Sequence, residues 1–291
     1  MLKGAISALV LPFKNGHIDE EAYREFIEWQ IEQGIDGLVP CGTTGESATL
    51  SHEEHEKAIR ICIEQTKKRV PVIAGCGSNN TAEAVRLTQF AKSAGADAAL
   101  LISPYYNKPT QEGIFLHYQA VSREVSFPFL VYNVPGRTGS NVTAETMARM
   151  YHQIPDMIGV KEAAGNLVQI SNMLEKTDEN FILLSGDDST VLATLVLGGK
   201  GTISVTSNVM PKKVHELCEA WEKGNANEAK RLHYYLEPLN RAMFVETNPI
   251  PVKTALFLMG KMSAEFRLPL CDMREATLAV LKKTMQDMKL I

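Results

Sequence analysis

The chain has 291 residues, 45% hydrophobic and 22% charged, a composition that fits an ordinary globular protein long enough to bury a large core. Lys and Arg (30) are balanced by Asp and Glu (34), and apart from short pairs such as Lys67-Lys68 and Lys282-Lys283 they are scattered, so nucleic acid is not an expected partner. The N-terminal run Met1-Leu2-Lys3-Gly4-Ala5-Ile6 has neither the pattern of a signal peptide nor a bilayer-spanning stretch, so no membrane partner and a cytoplasmic location are expected.

Ala5 to Leu11 reads as a strand stopped by Pro12, and Asp19 caps an amphipathic helix through Glu32 that ends at Gly34. The unit then repeats. Gly37 to Cys41 precedes a helix opened by the capping box Ser51-x-x-Glu54 and running to about Lys67. Val70 to Ala74 precedes Thr81 to Ala94, Ala98 to Ser103 precedes Gln111 to Glu124, and Phe129 to Asn133 precedes Thr143 to His152. Met157 to Lys161 precedes Leu167 to Lys176, Phe181 to Ser185 precedes Ser189 to Leu197, and Gly201 to Val205 precedes Pro211 to Lys223. Eight apolar strands at regular spacing, each followed by a helix, predict an α/β fold closed as a (β/α)8 TIM barrel. Beyond the eighth helix the pattern is only helical, which predicts a catalytic barrel over 1–224 and a helical region over 225–291 packed on it.

Chemistry in such barrels sits at the C-terminal ends of the strands. The second strand ends in Gly42-Thr43-Thr44-Gly45-Glu46-Ser47, either a capped βα turn or a cradle of N–H groups and hydroxyls for a carboxylate. The fourth ends in Pro104-Tyr105-Tyr106-Asn107, the fifth in Tyr132-Asn133-Val134-Pro135-Gly136-Arg137-Thr138-Gly139, the seventh in Ser185-Gly186-Asp187-Asp188. The sixth, Ile158-Gly159-Val160-Lys161-Glu162-Ala163, closes an apolar run with one lysine. Lys161 either marks where the strand meets water, its stem snorkelling along apolar surface, or is a desolvated amine that attacks carbonyl carbons. In the second case a phenol suits the proton transfers of imine formation, and Tyr132 is the candidate. Arg137 offers a planar fork for a substrate carboxylate, although a lone loop arginine is also an ordinary surface charge. The five cysteines have no C-x-x-C spacing and read as reduced, packed thiols; Cys41 and Cys76, at predicted strand ends, are the two that would face a site.

These strand-end motifs, together with Phe244-Val245-Glu246-Thr247-Asn248-Pro249-Ile250-Pro251-Val252-Lys253, resemble the 4-hydroxy-tetrahydrodipicolinate synthase (dihydrodipicolinate synthase) family, of the class I aldolase and N-acetylneuraminate lyase superfamily, over nearly the whole chain. The resemblance implies that Lys161 forms a Schiff base with pyruvate, whose enamine attacks L-aspartate 4-semialdehyde, in a step of lysine and diaminopimelate biosynthesis. It implies a proton relay of Thr43, Tyr132 and Tyr106, the last contributed by a neighbouring subunit. It places the pyruvate carboxylate on Thr44, the aldehyde's carboxylate on Arg137, and Gly186 and Ile203 in the site lining. It implies a homotetramer built as a dimer of dimers, and neither metal nor organic cofactor. It also carries a regulatory lysine site at Ser47, Ala48, His52, His55, Asn79, Glu83 and Tyr105, in which Glu83 and Asn79 would meet ammonium groups while His52 and His55 fix the side chain. Read from the residues alone, His52 and His55 are neighbours on an exposed helical face and Glu83 is a first-turn carboxylate favoured by the helix dipole.

Other pyruvate Schiff-base aldolases, such as N-acetylneuraminate lyase or a keto-deoxy sugar acid aldolase, share the lysine, the tyrosine and the glycine-rich turn. Arg137 separates them, because sugar-acid lyases typically lack an arginine in this loop. A catalytically silent lysine- or pyruvate-binding sensor is the third reading, and it has no support from the residues, since every group of the relay is present.

Overall fold

A computed structural model describes residues 2–291. Eight strands form its central sheet: β1 (Gly4–Ala8), β2 (Gly37–Val39), β3 (Ile73–Gly75), β4 (Ala98–Ile102), β5 (Phe129–Asn133), β6 (Met157–Glu162), β7 (Ile182–Ser185) and β8 (Gly201–Ser204). Every pairing between them is parallel, in the order β2-β1-β8-β7-β6-β5-β4-β3. The two ends of that order meet through a parallel bridge between Leu38 and Val72, with Leu38 N–H donating to Pro71 O at 3.0 Å and Gly75 N–H to Pro40 O at 2.9 Å. The sheet therefore closes on itself, which removes its exposed edges.

Helices follow each strand: α1 (Glu20–Glu32), α2 (His52–Thr66), α3 (Thr81–Ala94), α4 (Gln111–Val125), α5 (Ala144–Gln153), α6 (Leu167–Glu175), α7 (Val191–Leu197) and α8 (Pro211–Glu222). Six of these eight helices, α1 to α6, start on a side-chain cap. Asp19 accepts from Ala22 N–H, Ser51 and Glu54 complete the predicted capping box, and Thr110, Thr143 and Asn166 accept from the N–H groups of Gly113, Thr146 and Gln169. Beyond α8 come α9 (Ala226–Ala242), α10 (Ile250–Leu258) and α11 (Glu275–Asp287); α9 packs on α8, and α11 on both α9 and α10.

Two apolar clusters result. One fills the barrel and includes Ile6, Val39, Leu100, Leu130, Tyr132, Leu184 and Ile203; the other lies between the strands and the helical layer. The first strand is shorter than its apolar run predicts. Leu9 N–H still donates to Val39 O at 3.0 Å, but Asn208 takes over the rest of the hydrogen bonding there, accepting from Val10 N–H at 3.0 Å and donating to Ala8 O at 2.8 Å. The third strand starts at Ile73 rather than Val70, with Val72 making only the closing bridge. Two small elements escape the sequence pattern, a ribbon pairing Phe13–Lys14 with His17–Ile18 and a single helical turn at Pro135–Thr138. Among the described residues no helix is long and apolar enough to cross a membrane.

Candidate active site

Lys161 lies near the C-terminal end of β6 and is 6% exposed. The sheet register sets Lys161 directly beside Tyr132 of β5, and its Nζ sits 4.3 Å from the centre of the Tyr132 ring. Burial pulls the ammonium down to about 8; buried Asp188 opposes this and Arg137 reinforces it. The same burial raises the Tyr132 phenol, while nearby Arg137 and the Thr43 side chain work in the opposite sense. A snorkelling surface lysine would show none of these features, so the structure places Lys161 in the barrel wall.

The groups that hold Lys161 and Tyr132 in register are polar and buried. One residue further along both strands, Asn133 faces Glu162, and the Asn133 amide donates to the Glu162 carboxylate at 2.9 Å. Glu162 also accepts from Ala164 N–H at 2.7 Å and from Gln169. Asp188 accepts the N–H groups of Val205 and Thr206, each at 2.9 Å, and so ties the end of β7 to the end of β8. Burial raises both carboxyls above their ordinary range. Gly186 is dictated by space, because a Cβ there would stand 2.7 Å from Ala163 Cβ and 3.0 Å from Lys161 Cε. Ile203 is fully buried in the barrel-filling cluster, on the inward face.

The glycine-rich stretch after β2 folds as two short 3-10 turns, Thr43–Gly45 and Ser47–Thr49, joined by Glu46 in the left-handed region at φ 53°. The first N–H groups of such a turn have no carbonyl partner within it, and here Gly42 and Thr43 border the cavity. Thr44 is buried, and its Oγ1 accepts from the Asn248 amide at 3.1 Å. Arg137 rides on the turn Pro135–Thr138 and donates through Nη2 to Asn248 O at 2.9 Å. One residue of the C-terminal region thus holds both the Thr43-Thr44 turn and the arginine.

A cavity of about 540 Å³ reaches Tyr132 from the side of the Thr43 turn, while Lys161, Thr44, Gly186 and Ile203 lie outside its lining. Thr43, Tyr132 and Arg137 line it, and so do Ser47, Ala48, His52, His55, Glu83 and Tyr105. The remaining residue of that second cluster, Asn79, stands just behind, donating from its amide to Tyr105 O at 3.1 Å. His52 Nε2 meets Glu83 Oε1 at 2.8 Å, and the other Glu83 oxygen accepts from Ser78. Those hydrogen bonds, Ser78 first and His52 second, hold the Glu83 carboxyl below its ordinary range. His55 departs from the sequence reading of an exposed neighbour: it is 6% exposed, burial lowers its imidazole to about 4, and its Nδ1 has no partner among the described residues. Helix α2 turns it inward because its next turn, Ala58-Ile59, packs on the barrel.

Tyr106 is not brought to Lys161 within the chain. It is 88% exposed, at φ 69°, and is not among the residues that line the cavity, as its neighbour Tyr105 is. Cys41 lines the cavity and Cys76 is buried close by; burial raises both thiols. Among the described residues no group of three or more His, Cys, Asp or Glu side chains is arranged to hold a metal ion. Sequence reasoning missed the supporting roles of Asp188, Glu162 and Asn248. All three stood in quoted motifs, but Asn248 lies more than a hundred residues from the groups it holds.

A closed (β/α)8 barrel whose sixth strand presents a desolvated lysine against a buried phenol defines a class, the aldolase-type lyases that work through carbonyl chemistry. Within that class the chain belongs to the dihydrodipicolinate synthetase family, whose model matches residues 1–288. It is 64% identical to the 4-hydroxy-tetrahydrodipicolinate synthase of Nitratidesulfovibrio vulgaris strain DP4 over 272 residues, 94% of this chain and 93% of that one. A solved dihydrodipicolinate synthase from Acinetobacter baumannii, chloride-inhibited and complexed with pyruvate, superposes with a TM-score of 0.97 at 42% identity, covering 100% of both chains. One from Cyanidioschyzon merolae with lysine bound superposes with a TM-score of 0.96 at 38% identity, covering 99% of both.

Proposed function

We propose that this chain condenses pyruvate, held as an imine on Lys161, with L-aspartate 4-semialdehyde to give 4-hydroxy-tetrahydrodipicolinate and water. The neutral Lys161 amine adds to the pyruvate ketone, and the carbinolamine loses water to form the imine. Loss of a methyl proton gives the enamine, whose carbon attacks the aldehyde. The amino group of the second substrate then adds to the imine carbon, closes the ring and displaces Lys161. Tyr132, with Thr43 beside it, gives and takes the protons of these steps. Thr44 and its turn hold the pyruvate carboxylate, Gly186 leaves room for the reacting amine, and Ile203 forms the apolar floor. Arg137 takes the carboxylate of the aldehyde.

The observation that carries this reading is the position of Lys161: buried, held near 8 and packed on Tyr132. Incubation with pyruvate and borohydride, followed by mass spectrometry, is expected to place a reduced adduct on Lys161. Turnover is expected with aspartate semialdehyde and not with N-acetylneuraminate. Absence of an adduct refutes the mechanism, and turnover of the sugar acid alone refutes the choice of second substrate.

We also propose that lysine binds at Ser47, Ala48, His52, His55, Asn79, Glu83 and Tyr105 as a feedback ligand. The lysine-bound relative and the Glu83 carboxylate facing the cavity support this. A homotetramer is the proposed assembly, with Tyr106 completing a neighbour's site; the exposure of Tyr106, and of Leu167, Val168, Val196, Leu197 and Tyr234 on another face, supports association through two surfaces. The proposed division is a catalytic barrel over 1–224 and a helical region over 225–291. Free cysteines at Cys41, Cys62, Cys76, Cys218 and Cys271 suit a reducing compartment, so the cytoplasm is the proposed location.

A further inference from the structure

The mechanism makes no use of Glu46, yet Glu46 is among the most constrained residues near the site. It joins the two 3-10 turns at φ 53°, a conformation few residues with a side chain adopt. Its carboxylate is buried, with Oε1 accepting from Lys253 Nζ at 2.6 Å and Oε2 from Arg267 N–H at 3.1 Å. The two ion-pair side chains are 0% and 1% exposed, and the Lys253 ammonium lies over the Phe13 ring, 4.1 Å from its centre. An ion pair sunk this deeply contributes little net stability, because desolvation offsets its attraction; its usefulness lies in fixing one geometry.

We propose that the Glu46–Lys253 pair positions the Thr43-Thr44 turn for the pyruvate carboxylate, making α10 of the C-terminal region a structural part of the pyruvate pocket. Glu46 borders the cavity, but both of its carboxylate oxygens are taken up by Lys253 and Arg267, which makes it a positioning residue. Its two carboxylate oxygens are pinned from two different segments of that region, one at Lys253 and one at Arg267, which fixes both the place and the rotation of the turn. Neither Asp188 nor Arg137, the charges that act on Lys161, belongs to this pair. Loosening it therefore displaces the carboxylate cradle and leaves the titration of the amine alone.

This inference rests on the reading that the Thr43-Thr44 turn binds the pyruvate carboxylate. The test compares Glu46→Gln, Lys253→Met, the double variant and Thr44→Val in the full-length protein. It measures KM for pyruvate and for aspartate semialdehyde, the pH midpoint of borohydride-trapped adduct formation, and the unfolding temperature. The double variant leaves no lone buried charge, so it carries the test where a single variant does not fold. Expected in each folded variant of the pair is a rise in KM for pyruvate of about tenfold, with the adduct's pH midpoint and KM for the aldehyde unchanged. A role in stability alone would lower the unfolding temperature of the single variants and leave the double variant with wild-type KM for pyruvate, which overturns the proposal. If Thr44→Val raises KM for pyruvate and the pair variants do not, the positioning role falls and the carboxylate reading stands. If Thr44→Val also leaves it unchanged, both fall.

Discussion

At the scale of single residues, the cost of a buried ammonium explains both the reactivity of Lys161 and a weakness in the fold. With its ammonium near 8, about a tenth of the Lys161 side chains are neutral at pH 7, against a few in ten thousand for an ordinary lysine. Adduct formation with pyruvate is expected to rise with pH and to level off above about 8. The same displacement sets a stability term whose sign follows from proton counts. Between about 8 and the unfolded value the unfolded chain holds a proton that the folded chain has lost, so stability rises with pH across that window, and below it the full penalty applies. At pH 7 the penalty is on the order of 3 kcal/mol. Lys161→Met removes it while keeping the side chain's bulk, and Asp188 retains its two N–H donors at Val205 and Thr206. This inactive variant is expected to unfold several degrees above wild type at pH 7, by roughly the shift a few kcal/mol produces in a chain of this size. The gap should shrink as pH approaches 10. A calorimetric scan showing Lys161→Met less stable at pH 7 would contradict the assigned desolvation.

At the scale of elements, what was legible in the sequence was local and what was hidden was long-range. Ser51 and Glu54 announce α2 because a capping box spans four residues, and Met157 to Val160 announces β6 because a strand covered on both faces is continuously apolar. From those elements the strand ends follow, and with them Lys161, Tyr132, Thr43 and Arg137. The early exit of β1 at Ala8 was hidden because its cause, Asn208, lies two hundred residues away, and His55 was misplaced because its inward turn depends on how α2 docks. The role of Asn248 was hidden for the same reason: the motif Phe244 to Lys253 contains it, but only folding brings it to Thr44 and Arg137. The single turn Pro135–Thr138 is too short to carry a period, yet it aims the arginine. Because that turn is separate from β6, Arg137→Ala should leave adduct formation on Lys161 largely intact while lowering kcat/KM for aspartate semialdehyde by about a hundredfold or more. Loss of the pyruvate adduct itself in Arg137→Ala would place the arginine on the first substrate instead.

At the scale of the whole molecule, the open question posed by the single chain is Tyr106. It is 88% exposed at the tip of a turn held by its own N–H to Thr138 O at 3.3 Å, next to Tyr105, which lines the cavity. Tyr132 of the same chain is buried and lines the cavity, whereas Tyr106 does not line it and makes no hydrogen bond to Tyr132. If Tyr106 instead enters the site of a second copy, each active site needs Lys161 from one chain and Tyr106 from the other. Two inactive variants then complement each other. Lys161→Met has no nucleophile but still presents Tyr106 to its neighbour, and Tyr106→Phe has the nucleophile but offers its neighbour no phenol. Each alone is expected to lose turnover, Lys161→Met completely and Tyr106→Phe by about a hundredfold or more. When the two are unfolded and refolded together, a mixed pair contains one site with Lys161 from the Tyr106→Phe chain and Tyr106 from the Lys161→Met chain, so activity returns to a substantial fraction of wild type. A relay confined to one chain predicts no recovery at any mixing ratio, because no chain in the mixture carries both groups. Activity that peaks near an equal mixture and falls toward either pure variant therefore distinguishes a shared site from a private one.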